Sequence, residues 1–150
     1  MTALTLARSG DLDRLLPMVA SRHDEAGRTG DEAATRAALL PLLEGSAHGA
    51  VYLVGPPRAP IGYVVLSFGW SLAAGGLTAR IDEMYIRRAV RGRGIGTEVL
   101  GSLPRALAAA GLRAIEVETG REDARARVLF GRQRFEPLED RITLRLTLHR

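Results

Sequence analysis

The stretch VRGRGIGTEV, residues 90–99, places glycine at 92, 94 and 96 and arginine at 91 and 93. It lies between IDEMYI (81–86), an apolar run with strand character, and VLGSLPRALAAAG (99–111), whose Val99, Leu100, Leu103 and Leu107 repeat at helical spacing. Strand, glycine turn and helix together make an anion site. The first N–H groups of a helix have no partner inside it, and the helix dipole favours negative charge there. Glycine admits positive φ and lets a ligand approach the backbone. Arg91 and Arg93 add charge-assisted donors. The residues therefore predict a phosphate or pyrophosphate held at 91–97. The plain alternative is a glycine-rich link that binds nothing, and two arginines in so tight a turn argue against it.

The spacing excludes two common phosphate motifs. No Gly-Lys-Ser/Thr closes a P-loop, and Val99 stands where a dinucleotide fingerprint needs its third glycine. Outward from the turn, TALTLA (2–7), AVYLVG (50–55), IGYVVLSFGWS (61–71), LTARIDEMYIRR (77–88) and AIEVET (114–119) read as strands. RITLRLTLH (141–149) alternates Ile142, Leu144, Leu146 and Leu148 with polar residues and reads as a strand with one buried face. Helices are expected over 11–27, 31–45, 94–110 and 123–133, with Pro17, Pro41 and Pro104 bending or shortening the first three. The order β-α-α-β-β-β-α-β-α-β, with three successive strands, argues for a mixed, largely antiparallel sheet.

Composition narrows the function classes. A chain of 150 residues suggests one domain, and 46% hydrophobic with 25% charged residues is ordinary for a globular protein. No apolar run is long enough to cross a bilayer, and MTALTLARSGDLDR lacks the pattern of a signal peptide, so neither membrane nor export is expected. With no cysteine there is no disulfide framework and no thiolate nucleophile, and a cytoplasmic location is the simplest expectation. The net charge is +4 and every cationic side chain is arginine, since the chain has no lysine. Aromatics are only 5% and the arginines are scattered outside 87–93, so nucleic acid is not the expected partner. His23, His48 and His149 are far apart without metal-ligand spacing, and no Gly-x-Ser-x-Gly elbow is present; neither a metal nor a catalytic serine is expected.

Arg91-Gly92-Arg93-Gly94-Ile95-Gly96 resembles the Arg/Gln-x-x-Gly-x-Gly/Ala signature of the GNAT N-acetyltransferase superfamily. IDEMYI, AIEVET and ARVLFGRQRFEP (126–137) resemble that family's flanking segments at the proper distances, so the likeness runs from about Ile61 to Pro137. The resemblance implies an α+β fold: a mixed, mostly antiparallel sheet of about six to seven strands, flanked by about four helices, in one N-acetyltransferase domain over 1–150. It implies acetyl-CoA as cofactor. Arg91, Gly92, Arg93, Gly94, Ile95, Gly96 and Thr97 would hold the pyrophosphate of coenzyme A, and the backbone near Met84, Tyr85 and Ile86 its pantetheine arm. Asp123 stands where the family often has an Asn touching that arm.

Acyl transfer to an amine requires a base for the amine, a donor for the carbonyl oxygen and some help for the leaving thiolate. The resemblance makes Glu83 the candidate base, with the adjacent Asp82 as its competitor. On a regular strand the two point to opposite faces, and either could be solvated or paired with Arg80, Arg87 or Arg88. The carbonyl donor would be a backbone N–H near Tyr85. Where the family has Leu-Tyr, with the Tyr as general acid, this chain has Leu129-Phe130, and Phe130 is expected to pack against the thiol end of the cofactor. Tyr85 is the substitute acid to consider. The resemblance builds the acceptor pocket from the two N-terminal helices and the strand carrying Phe68, Trp70 and Ser71. The acidic loop HDEAGRTGDE (23–32) fits a small cationic amine, although a solvated loop explains it equally well. The expected reaction is acetyl transfer by direct attack in a ternary complex; the alternative is a catalytically weak CoA-binding regulatory module. Dimers are frequent in the family, which makes a homodimer an expectation that the residues themselves do not demand.

Overall fold

Valine, tyrosine and phenylalanine in IGYVVLSFGWS drive the longest pairing of the chain. The computed structural model describes residues 2–149. There β3 (Gly62–Ser71) forms a hairpin with β4 (Gly76–Ile86), turning through Gly75 and Gly76 at positive φ. β2 (Gly49–Val54) lies on the other side of β3, and β1 (Leu4–Leu6) beyond it, all antiparallel. β5 (Ala114–Val117) joins β4 in parallel and completes a sheet of order β1-β2-β3-β4-β5. Four α-helices flank it: α1 (Leu12–Glu25), α2 (Glu32–Leu43), α3 (Ile95–Ala106) and α4 (Ala124–Arg132).

The strands bury alternate residues on the two faces. On one face Val51, Leu53, Tyr63, Val65 and Tyr85 pack against Leu12, Leu15, Leu16 and Val19 of α1 and Leu39 and Leu43 of α2. On the other, Val54, Val64, Leu66 and Ile81 pack against Val99, Leu100 and Leu103 of α3. Pro17 is accommodated within α1, which runs for 14 residues. Asp31 caps α2 by accepting the Ala33 N–H at 3.0 Å. Pro104 marks a shortening: α3 ends at Ala106, short of the expected Ala110, and residues 108–110 continue as a 3-10 turn closed by Gly111 at φ +72°. A proline so near the end removes a backbone donor and favours the tighter turn.

Two sequence expectations need correction. The sheet has five strands among the described residues, not six to seven. RITLRLTLH is not one of them: it forms no strand and is exposed throughout. Alternation supplies a strand with a one-sided face, but it does not supply a hydrogen-bonding partner.

Candidate active site

The turn of residues 91–97 enters α3 through two glycines at positive φ. Gly92 and Gly94 stand at φ +79° and +78°, where residues with side chains are strained. Their conformations lead the chain from Arg91 into α3 with its first amides unpaired. The N–H groups of six successive residues, Gly92 through Thr97, have no acceptor among the described residues. Glu98, the one carboxylate in the first turn of α3, accepts the Thr2 N–H at 2.7 Å and the Thr2 hydroxyl, so its charge is held at the N-terminal strand. These two bonds, the hydroxyl's first, lower its pKa.

The two arginines differ in their contacts. Arg91 donates through Nε to the Ile86 carbonyl at 2.8 Å, bridges Glu25 at 2.7 Å, and lies over the Tyr85 ring at 5.5 Å. Its own amide bonds the Arg88 carbonyl. Arg91 thus ties the turn to α1 and to the end of β4. Arg93 is exposed and makes no ion pair among the described residues, which leaves its guanidinium available to an anion.

Beside this turn the sheet opens. β4 pairs with β5 only from Thr78–Ala114 to Ile81–Val117, while β4 runs on to Ile86. The Arg87 N–H bonds the Ile61 carbonyl of the β3 side at 2.8 Å. Backbone groups alternate sides along an antiparallel strand, so Tyr85 also turns its amide to β3, and Met84 and Ile86 turn theirs into the gap. The free amides nearest Tyr85 are therefore those of Met84 and Ile86. Gly96 is the exception among the three glycines: a Cβ there would make ordinary contacts, 3.5 Å from Leu129 and 3.6 Å from Met84. Free amides, an exposed guanidinium and an open strand edge suit a long ligand with a diphosphate end, so the residues fit coenzyme A.

Register sends the two carboxylates to different surroundings. β3 and β4 shift register between Val65 and Leu66, which oppose Glu83 and Ile81, so Asp82 is the extra residue of a β-bulge. The bulge inverts the alternation. Ile81 faces α3, yet Glu83 and Tyr85 face α1. Asp82 is exposed.

Glu83 enters a polar cluster that the sequence did not announce. Its Oε1 accepts from the Tyr63 hydroxyl at 2.8 Å, and its Oε2 lies 2.9 Å from His23 Nε2 and 3.9 Å from Arg22 Nη1. The carboxylate is only 14% exposed. Burial, with the Glu83 charge and hydrogen bond adding to it, raises the Tyr63 pKa well above that of free tyrosine. Arg22 Nη1 is buried with no hydrogen-bond partner among the described residues, a donor left over beside the carboxylate. His23 was discounted as a metal ligand, yet it extends the α1 stripe Leu12, Leu15, Leu16, Val19 by one more turn, and that signal was available.

A groove of about 510 Å³ opens between α1 and α2. Asp13, Asp24, Asp31 and Glu32 outnumber Arg28 and Arg36 along it. It reaches the cluster through His23; Glu83 is set behind, outside its lining.

Other expected site residues lie elsewhere or do other work. Trp70 and Ser71 stand at the β3–β4 hairpin end, about 17 Å along the strand from Val65 opposite Glu83 at 3.3 Å per residue. Trp70 is 75% exposed, and Ser71 accepts the Ala74 N–H at 3.0 Å. Asp123 caps α4 by accepting the Ala126 N–H at 3.0 Å. Phe130 is half-buried and meets Phe135 edge-on, with ring centroids 5.3 Å apart.

A mixed sheet parted between its fourth and fifth strands, beside a helix opened by free amides, makes an α+β fold of the kind the resemblance implies. A family model described as Acetyltransferase (GNAT) family matches residues 19–135, and the chain belongs to that family. No curated protein matches the chain. Among solved structures it is similar to the integron cassette protein HFX_CASS3 from the mobile metagenome of Cole Harbour Salt Marsh, at 28% identity and TM-score 0.85 over 98% of this chain and 91% of that one. It shares its fold with the ribosomal-protein-alanine N-acetyltransferase of Brucella melitensis biovar Abortus 2308 (16% identity, TM-score 0.77, 98% and 100% covered). The same holds for AAC(6')-Iy in complex with the bisubstrate analog CoA-S-monomethyl-acetylneamine (15% identity, TM-score 0.77, 98% and 99% covered).

Proposed function

We propose that the protein is an N-acetyltransferase that moves the acetyl group of acetyl-CoA to a primary amine on a small cationic molecule, by direct attack in a ternary complex. The observation that carries this reading is the joining of two features by one strand. β4 ends at a turn of unpaired amides on one side, and it carries Glu83 toward an acidic groove on the other. Bound there, the cofactor supplies an acyl group activated as a thioester. The amides of residues 92–97 and the Arg93 guanidinium would hold its diphosphate. The Met84 and Ile86 N–H groups would face its arm, and one of them would donate to the acyl oxygen as charge develops.

Asp13, Asp24, Asp31 and Glu32 attract a cationic acceptor into the groove. Such an amine has a pKa near 10 and must lose a proton before it attacks. His23 lines the groove and passes that proton to Glu83, which Tyr63 and Arg22 hold in place. Arg22 Nη1 offers a free donor to an oxygen on the acceptor. Trp70 and Ser71 lie too far along the hairpin to touch the amine and serve only a longer acceptor. A cytoplasmic location goes with a CoA-dependent reaction.

Phe130 has no proton for a departing thiolate. A thiol pKa of about 8.5 makes the thiolate a competent leaving group near neutral pH, so this absence slows transfer without forbidding it. The same residue favours the second reading, a CoA-binding regulatory module. Thiol release from acetyl-CoA with a panel of diamines, polyamines, aminoglycosides and neutral amines separates the two. Release that depends on a cationic amine supports the enzyme. Tight CoA binding with no release across the panel supports the module.

A further inference from the structure

Glu98 sets a negative charge in the helix turn that has to receive an anion. It is the acid of the first turn of α3. Gly94 is the N-cap, so Glu98 is the fourth residue of the helix, and it is exposed. Helical side chains lean toward the N-terminus. A glutamate there can reach an amide three residues back, as the acid of a capping box does. Three residues back from Glu98 is Ile95, whose N–H is one of those without an acceptor among the described residues. Left to itself, the carboxylate would cap its own helix and stand among the amides that a diphosphate needs.

Thr2 prevents this. Its N–H donates to Glu98 Oε2 at 2.7 Å, and its hydroxyl donates to the same oxygen. Both donors act on one atom, and they draw the carboxylate toward the N-terminal segment. Leu4, two residues on, packs at the margin of the α3 core and keeps that segment against the helix. The two bonds, the hydroxyl's first, lower the Glu98 pKa. The charge is therefore kept, and its position is what Thr2 controls.

A carboxylate in the first turn stabilises a helix through its dipole. The same charge repels an anion arriving at the same amides. Glu98 thus helps α3 and opposes the ligand, and the two effects have opposite signs.

We propose, on the reading of this turn as a diphosphate site, that Thr2 is a positioning residue for it. Thr2 holds Glu98 off the α3 amides and so sets the affinity of the turn for a phosphorylated ligand.

Calorimetry with CoA, alongside a thermal melt of each protein, tests this. Glu98→Gln keeps the shape and removes the charge. It is expected to bind CoA about threefold to tenfold more tightly while its Tm falls, a divergence that a merely structural role would not give. Thr2→Pro removes both donors, and Thr2→Val only the hydroxyl. CoA affinity is expected to fall about threefold to tenfold in the first and less in the second. In the Glu98→Gln background, Thr2→Pro is expected to leave CoA affinity unchanged, whatever it does to Tm. Damage to the fold would lower affinity in both backgrounds, so the double variant separates positioning from damage. A Glu98→Gln protein that binds CoA no more tightly than the parent overturns the proposal, as does an equal effect of Thr2→Pro in the two backgrounds. A parent protein that binds no CoA overturns the reading of the turn itself, and the role of Thr2 with it.

Discussion

Glu83→Gln isolates the charge at the centre of the proposed mechanism. The amide has the shape of the carboxylate. It can still accept from the Tyr63 hydroxyl, now 2.8 Å away, and can donate to the His23 nitrogen at 2.9 Å. Two charge-assisted bonds become neutral ones of about half the strength, a loss of about 1–2 kcal/mol in stability. For a chain of this size that is a fall of about 2–8 °C in Tm. The catalytic loss should be far larger, because an amide accepts no proton from an ammonium. Removing a general base costs about 10²–10⁴-fold in kcat, or about 3–5 kcal/mol of barrier. The assay is the initial rate of thiol release at saturating acetyl-CoA and amine, with CoA affinity measured alongside by calorimetry. Turnover should collapse while affinity holds, since Glu83 faces α1 and the unpaired amides lie at residues 92–97. Asp82→Asn, on the exposed bulge, should leave both unchanged. A Glu83→Gln protein that turns over within about threefold of the parent refutes the assignment.

The two turn arginines should separate cleanly. Arg93→Ala should weaken CoA binding and spare Tm, whereas Arg91→Ala should lower Tm through loss of its Glu25, Ile86 and Tyr85 contacts; calorimetry and thermal melts read the two. At Gly94, where φ is +78° and no atom would crowd a Cβ, Gly94→Ala should cost about 1 kcal/mol by backbone strain alone. Gly94→Asp should weaken CoA binding about tenfold further, through its charge among the amides, and equal affinities for the two variants would count against an anion at this turn. The raised Tyr63 pKa keeps the folded state protonated where the unfolded chain ionises. Its stabilising share is whole below about pH 10 and declines as pH rises beyond that. Tyr63→Phe should therefore flatten the alkaline fall of Tm, a change easily read in a chain without lysine.

What could be read from the sequence was local. The glycines at 92, 94 and 96, the strand before them and the helix after them declare a conformation within ten residues, and the structure adopts it. The separate roles of Arg91 and Arg93 could not be read, because the partner that claims Arg91 is Glu25, 66 residues away on α1. His23 carried half a signal: its place on the apolar stripe put it against the sheet, but only the register of β3 on β4 brings Tyr63 and Glu83 to meet it. Trp70 and Ser71 entered through resemblance, and the length of the hairpin carries them away from the carboxylate. The alternation of RITLRLTLH was plain, yet the segment pairs with no strand and buries no face, because alternation alone supplies neither a partner edge nor a layer to pack on.

The bulge at Asp82 links the two halves of the site. Without the extra residue, Glu83 would follow Ile81 onto the α3 face, remote from His23 and the groove. A bulge also sharpens the local twist of a strand. β4 parts from β5 at Ile81, the residue before the bulge, and the backbone of Met84 and Ile86 lies open just beyond it. One inserted residue thus coincides with both the opening of the strand gap and the turning of the carboxylate toward α1. A ligand threaded between the strands would bring its end to β4 from the β5 side, while the amine approaches from the α1 side. The adjacent Asp82 and Glu83 are the sequence trace of this arrangement: the first occupies the bulge and faces solvent, and the second is carried across the sheet to meet His23 and Tyr63.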